Sequence, residues 1–568
     1  MALKQTAIFI LGPSALPLAQ KIKTALGGQI HGPEGLDGCD VNYEKATHSI
    51  SRAFQLGHAI IGVCAAGILI RAVADRLKNK RDEPAVVAVS EDGSSVVPLL
   101  GGHHGANDLA NKIAALTNGN AAITTASDVR FGDLLDNPHG AYLSNQEDYK
   151  TAVAAKLRGE EIIQEVTIYN KQGGPRHLVY HPFTLAVGIG CERGTDPIEV
   201  KQLLDETLAA HNLADRSIYQ YASINLKEDE PAINQFTNVC FFTAEQLKAQ
   251  SHRVTIRSAV VETEVGTPSV AEAAALAMVG ESGMLIVPKV KSKRATIAIA
   301  QAVDIDVFAN HQGESRGHIS VVGIGPGSAG TLTPNVDFEL WFASEWVGYT
   351  LYLDLVEHLR SGQTRHDFPL GDEEVRCRKA IELAKQGKRV ALVCSGDAAI
   401  YAMAALVYEI IDLEPCRIAV EVHPGISAFQ AASAKAGAMI GHDFCCISLS
   451  DLLTPWDTIE RRIKAAAEGD FVISFYNPRS LKRRDQLERA FAILKNHRPP
   501  NTPVVIGSNL GRLEEKTKIV NFADFNPDEV DMLTLVMVGS SQSKSFIRGD
   551  GKTYAYTPRG YAKKMDLK

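Results

Sequence analysis

The chain is poor in cysteine and has no pair at metal-binding spacing. Nine cysteines are scattered over 568 residues without a C-x-x-C, and Cys445–Cys446 are adjacent, a poor geometry for a mutual bridge. An odd number without framework spacing excludes a disulfide scaffold and favours free thiols in a reducing compartment. No run of about 18 apolar residues exists, so no transmembrane helix is expected. The opening TAIFILGPSALPLAQ carries only a brief apolar run, broken by Gly12–Pro13 and followed by a helical stretch. It reads as strand, loop and helix, not as a signal sequence, and the expected location is cytoplasmic. A basic excess is missing too. The net charge of -7 argues against a bulk nucleic-acid binder, while local basic segments still permit an acidic small substrate. There is no short-period repeat and no low-complexity tract.

What is present is an ordinary globular balance, 45% hydrophobic and 22% charged. The length exceeds one core, and about 100–200 residues per domain predicts three to five domains. Strand, glycine turn and helix alternate over residues 1–132, where PAVVAVSEDGSSVVPLL reads as a hairpin with a Glu-Asp-Gly turn. Residues 133–182 read as a short, helical connecting region, and a second α/β unit spans 183–303. The polar, aperiodic segment 304–317 reads as a linker. The last part, 318–568, divides into lobes of about 318–424 and 425–568. The fold class is multidomain α/β.

Three glycine-bearing turns dominate the second half: ISVVGIGPGSAGTLTP (Ile319 to Pro334), RVALVCSGDAAIYAMA (Arg389 to Ala404) and VEVHPGISAFQAASA (Val420 to Ala434). Each follows an apolar run suited to a strand buried on both faces. Glycine lets the backbone turn sharply, and small residues after the turn let a ligand approach main-chain N–H and C=O groups. Three such turns at the strand ends of one sheet make a crevice, the usual ligand site of an open α/β fold. A dinucleotide loop is a poor fit, because Pro326 and the following SAGTLTP stiffen the turn and no acidic residue closes a βαβ unit.

From His318 onward the chain resembles the tetrapyrrole methylases, which use S-adenosylmethionine. GIGPGSAGTLT is similar to their first loop, SGDAAIYAMA to their GDP-type loop and HPGISAFQAAS to their PGxS loop. VGYTLYLD, GHDFCCISLSDLLTPW and FYNPRS resemble one subgroup, the precorrin-3B C-17 methyltransferases of cobalamin synthesis. The resemblance implies two α/β lobes with the cofactor in the cleft between them, a homodimer, and methylation with ring contraction of precorrin-3B or its cobalt form. Carried over by position, the cofactor contacts are Pro326, Ser395, Gly396, Asp397, Ile400, Ser427 and Ala428, with Asn477 and Gly511 as further transfers. Asp397 has an equal alternative as helix N-cap. Tyr349 stands near the place where related uroporphyrinogen methylases carry a general-base aspartate; it is a candidate for substrate bonding or proton transfer, or a core tyrosine. His442, Asp443 and Ser450 are candidates to polarise a substrate oxygen, or are loop residues. NPRSLKRRDQ gathers Arg479, Lys482, Arg483 and Arg484, and RCRK gathers Arg376, Arg378 and Lys379. Guanidinium forks suit the carboxylates of a tetrapyrrole, and Arg479 is singled out; the others read as solvated faces.

The first half resembles the cobalt-precorrin-5A hydrolases of the same pathway, through GILIRAVADRLKNKRDEPAVVAVSEDGSSVVPLLGGHHGANDLANKIA, GIGCERGTDPIEVKQLL and VETEVGTPSVAEAAAL. That resemblance implies lactone opening and loss of a two-carbon fragment as acetaldehyde; the alternative is a non-catalytic module that binds and hands over a tetrapyrrole. Hydrolysis needs a base and oxyanion donors. His103 and His104 are candidate bases, the turn GIGCERG offers main-chain N–H groups with Glu192 or Arg193 at its rim, and Lys227 and Glu230 are further candidates. Cys191 reads as a nucleophile or a small buried thiol. No metal site is expected in the chain, since His103 and His104 are neighbours and not i, i+4 partners and no carboxylate spacing completes a set.

Overall fold

The computed structural model describes residues 6–77, 83–102, 105–124, 140–360, 362–480 and 484–561. His103, His104, Lys482 and Arg483 lie outside the described residues.

The first unit is a seven-stranded sheet in the order Val41–Tyr43, Gln29–Pro33, Thr6–Ile10, Ala59–Val63, Val86–Val89, Ser95–Leu100, Asn120–Ala121. Its pairings are parallel except for the hairpin Val86–Val89/Ser95–Leu100. The hairpin turns at Gly93 (φ +72°), and the Asp92 carboxylate accepts from the Ser94 N–H at 3.0 Å. Residues 140–182 are more than a helical connection. Besides the helix Tyr149–Leu157 they form a three-stranded sheet, Ala141–Leu143, His177–Pro182 and Ile163–Val166. Leu178 and Tyr180 of HLVYHP pack there on Leu143 and Ala152, a small core whose strand signal is too short to stand out by periodicity.

The second unit has the order Met284–Lys291, Ala295–Gln301, Leu185–Cys191, Ile218–Ile224, Val239–Phe242, Glu314–Ser315. The helix Ala271–Val279 lies so close on it that a Cβ at Gly188 would come within 1.9 Å of the Ala271 carbonyl oxygen. The expected linker thus contributes a strand: Glu314–Ser315 pairs antiparallel with Val239–Phe242.

Among its described residues the second half holds three sheets, one for each lobe and a small third of Gly437–Ala438, Thr553–Tyr556 and Lys544–Ile547. The first lobe is fully parallel, in the order Thr364–Phe368, Glu345–Tyr349, Arg389–Cys394, His318–Gly323, Ala419–His423. The second lobe is mixed, in the order Phe444–Ser448, Val472–Tyr476, Thr534–Val538, Pro503–Ser508, Lys516–Asn521. The halves of the chain touch through the helix Pro334–Phe342. Its Asp337 pairs with Arg52, and the Trp341 Nε1–H donates to His58 Nε2 at 2.9 Å. Among the described residues no helix is long and apolar enough to cross a membrane.

Candidate functional site

The strand order explains why the three glycine turns meet. Arg389–Cys394, His318–Gly323 and Ala419–His423 are neighbours in one parallel sheet, so their C-terminal ends open on the same edge. Gly325 and Gly396 exchange a pair of backbone hydrogen bonds, 3.1 and 2.8 Å. A Cβ at Gly425 would sit 2.1 Å from the Gly396 oxygen and 2.2 Å from the Gly323 oxygen. No residue but glycine allows that approach. Asp397 completes the knot, accepting from Ala399 N–H at 2.8 Å and from Gly425 N–H at 3.1 Å. It therefore caps no helix: the α-helix after this turn starts at Met403, and the carboxylate joins the second turn to the third.

A cleft of about 190 Å³ lies over this knot, between the lobes. Pro326, Ser395, Gly396, Asp397, Ile400, Ser427, Ala428 and Asn477 line it, with Tyr352, Tyr401, Tyr476, Asn509, Leu510, Arg512, Met532, Leu533 and Thr534. Ser427 and Ala428 open the helix Ala428–Ala436, Ser427 and Gln430 forming a capping box. Tyr401, Asn477 and Asn509 each hold a positive φ near 50°. Such strain persists only where the surroundings impose it, and for a tyrosine it is a true outlier. Burial raises the pKa of Tyr352, Tyr401 and Tyr476, so their hydroxyls remain protonated donors. Tyr401 spends its proton on the Cys446 carbonyl at 2.9 Å.

Arg512 is the cation the sequence reading missed. Its Nε donates to the Pro326 carbonyl at 3.0 Å and its Nη2 to Ser395 Oγ at 3.1 Å, so it fastens the second lobe to the first two turns. The usable signal was its place just beyond the strand end PVVIGS, in SNLGR. Gly511 (φ +71°) is not in the lining; its N–H donates to Glu515 at 2.8 Å, and it packs against the backbone of Gly327 and Ser328.

Other expected residues stand apart from the cleft. Arg479 is committed to the Pro527 carbonyl at 2.8 Å and Asp528 at 2.9 Å, bracing the turn Pro527–Glu529. Tyr349 precedes the helix Thr350–Val356 and meets Tyr352 edge-on, with ring centroids 5.0 Å apart. His442 and Asp443 are exposed and pair with each other at 3.1 Å. Arg376 is buried on Glu373 and the Pro369 carbonyl, Arg378 pairs with Glu374 and Glu414, and Lys379 with Glu382.

In the first half, the turn after Leu185–Cys191 gathers Cys191, Arg193, Lys227, Asp229 and Glu230. Glu230 is fully buried; its Oε1 accepts from Gly194 N–H at 3.0 Å and its Oε2 has no hydrogen-bond partner. Arg193 Nη1 lies 3.5 Å and Lys227 Nζ 4.0 Å from that Oε2. Burial pushes the Cys191 thiol up to about 11, which makes it a poor nucleophile at neutral pH. Glu192 is paired with Arg294 at 2.9 Å, and Arg294 also donates to the Arg193 and Gly194 carbonyls of the turn. Arg417 of the second half reaches Asp229 at 3.8 Å.

Comparison with known proteins follows the same division. The model of the tetrapyrrole (corrin/porphyrin) methylases matches residues 318–526, cobalamin synthesis G C-terminus matches 185–300, and cobalamin synthesis G N-terminal matches 48–128. The probable cobalt-factor III C(17)-methyltransferase of Salmonella typhimurium is 44% identical over 243 residues, 43% of this chain and 99% of that protein. A precorrin-3B C(17)-methyltransferase from a Sinorhizobium species is 40% identical over 249 residues, 43% of this chain and 98% of that protein. Cobalamin biosynthesis protein CobIJ of Mycobacterium bovis is 43% identical over 249 residues, 43% of this chain; this chain spans only 48% of its length.

Proposed function

The chain belongs to the tetrapyrrole methylases, and from that premise we propose that its second half methylates C-17 of precorrin-3B or its cobalt form and contracts the ring, with S-adenosylmethionine as donor, in cobalamin biosynthesis. The observation that carries this reading is the knot of Gly325, Gly396, Asp397 and Gly425 beneath an open cleft. The donor set suits the cofactor. Main-chain groups around Ser395–Asp397 and the start of the helix Ala428–Ala436 would hold its amino-acid end, the helix N-terminus favouring a carboxylate. Ile400, Leu510, Met532 and Leu533 give an apolar slot for a purine. The faces of Tyr352, Tyr401 and Tyr476 suit a positive sulfur.

When bound, S-adenosylmethionine supplies a methyl already activated on a sulfonium. The protein therefore needs to align the accepting carbon and keep water out, not to generate a strong base. Arg512 is the cation placed to meet a substrate or donor carboxylate at the lobe junction. Asn477 and the protonated Tyr352 and Tyr476 can donate to a substrate oxygen while a bond migrates.

For the first half we infer lactone opening and deacylation of the cobalt-precorrin-5A type. A fully buried carboxylate with one oxygen that accepts no hydrogen bond, in ion pairs with a lysine and an arginine, supports a base for water more than a passive carrier. A homodimer through the second half agrees with its fully exposed Leu453 and Leu513, and a cytoplasmic setting agrees with nine free cysteines. The test is mass spectrometry of the pigment formed by the purified chain from cobalt-bearing and cobalt-free substrate with isotopically labelled methyl donor. One labelled methyl on a contracted ring is expected; an unlabelled pigment overturns the methylase reading. Acetaldehyde release from a lactone-bearing intermediate separates hydrolysis from carriage.

A further inference from the structure

We propose that His318, Glu339 and His423 bind one divalent transition-metal ion of the zinc type, in a buried structural site of the first lobe. The three come from separate elements: His318 opens the strand His318–Gly323, Glu339 lies in the helix Pro334–Phe342 above the sheet, and His423 ends the edge strand Ala419–His423. All are buried, and one ligand atom from each lies within 4.8 Å of the others. Buried imidazoles ordinarily find a partner for both nitrogens. Here the Nε2 atoms of both His318 and His423 have none, although the residues are 8% and 6% exposed. Two imidazoles and a carboxylate are the donor set that zinc takes.

The surrounding charges agree. Glu339 Oε2 accepts from Ser320 Oγ at 2.6 Å and lies 3.6 Å from Arg389 Nη2. Glu421 Oε2 is 3.7 Å from His423 Nε2. Two carboxylates against one guanidinium leave negative charge for a dication to neutralise. Asn335 Nδ2 stands 2.9 Å from His423 Nδ1. Metal on Nε2 places the proton on Nδ1, so the Asn335 amide would present its oxygen there instead, the usual outer support of a ligating histidine.

Such an ion would tie the helix Pro334–Phe342 to the ends of two strands. His423 directly precedes Pro424–Gly425 of the third glycine turn, and the same helix carries Asp337 and Trp341, which touch the first half. The ion would thus set the spacing between cleft and interface without meeting a reactant.

The experiment uses the full chain, stripped with chelator and free of pigment, titrated with Zn²⁺ by calorimetry and with Co²⁺ by visible absorption. One saturable ion per chain is expected, with the intense d–d bands of a low-coordinate cobalt site and a raised melting temperature. His318→Gln and His423→Gln should each abolish those bands while the metal-free variants melt as the metal-free parent does. Asn335→Asp should tighten binding by roughly tenfold. Absence of a one-to-one site, or cobalt bands that survive both histidine variants, overturns the proposal.

Discussion

The cleft between the lobes and the charged turn at Cys191 both form where a strand runs out, yet they are made of different material. The cleft is floored by peptide groups: Gly325, Gly396 and Gly425 touch through backbone atoms, and the one carboxylate among them, Asp397, serves to fasten the turns. The turn at Cys191 is a cluster of side chains. There Glu230 answers Gly194, and Arg193 answers Asp229, across more than thirty residues of sequence. A site of backbone depends on the absence of side chains, whereas a site of charges depends on their pairing. Substitutions should therefore fail in opposite ways.

The largest expected effect is at Gly425. A valine there places its Cβ where the Gly396 and Gly323 oxygens already are, 2.1 and 2.2 Å away. Separating the turns by even about 1 Å should lower methyl transfer on the order of a hundredfold, with affinity for S-adenosylhomocysteine falling in calorimetry. The matching change in the other region is Gly194→Ala. A Cβ at Gly194 meets nothing, so only its positive φ of 69° is penalised, at about 1 kcal/mol in a melting curve. Equal losses for the two variants would erase the distinction.

Next in size is a pair of arginines. Arg512→Met removes two hydrogen bonds that join the lobes, at Pro326 and Ser395. Bonds to a charged group contribute about 1.5–3 kcal/mol, so kcat/KM should fall roughly ten- to a hundredfold. Arg479→Met breaks contacts to Pro527 and Asp528 outside the cleft lining, and should cost about 1 kcal/mol of stability with turnover kept. Steady-state kinetics and melting of the two proteins decide between them. Glu230→Gln then probes the charged turn alone: acetaldehyde release should drop at least tenfold while labelled methyl transfer stays at the parent level. Unchanged release would remove Glu230 from the chemistry.

The two regions also differ in how far the sequence disclosed them. The floor of the cleft was readable because glycine spacing after an apolar strand states what the backbone must do, and Pro326, Ser395, Asp397, Ser427 and Ala428 do line one cleft. Its far wall was not. Arg512, Asn509 and Leu533 come from turns of the mixed second sheet, where a single residue beside a strand has no pattern to mark it. Asn477 and Asn509 left a faint trace, being residues that tolerate a positive φ at strand ends. The arginines singled out by sequence have carboxylate partners in the fold: Arg479 meets Asp528 and Arg378 meets Glu414 from distant turns, while Arg376 pairs with Glu373 one turn away on its own helix. The strands in 140–182 and at Glu314–Ser315 were missed because pieces of two to six residues show no period.

Acidity gives a last comparison, within the first unit. In the first unit His31 is 5% exposed with neither ring nitrogen hydrogen-bonded, and burial lowers its pKa to about 4. His58, lowered to about 4 by burial and then by Arg52, accepts from Trp341 across the interface. Both rings are neutral in the folded chain, whereas unfolding restores a pKa near 6.5. Between these values the unfolded state binds more protons, so stability is intact above about pH 6.5 and declines as pH falls toward 4. Each ring can contribute at most about 3 kcal/mol over that window. Phenylalanine at position 31 would keep the ring contact with Phe9, now 4.6 Å between centroids, and carry no titratable nitrogen. His31→Phe should therefore melt like the parent at pH 7.5, within about 1 kcal/mol, and more stably than it at pH 5, as followed by calorimetry. A gap between the two proteins that stays constant with pH would show that His31 is solvated or partnered in the folded chain, and would leave His58 as the acid-sensitive group of that unit.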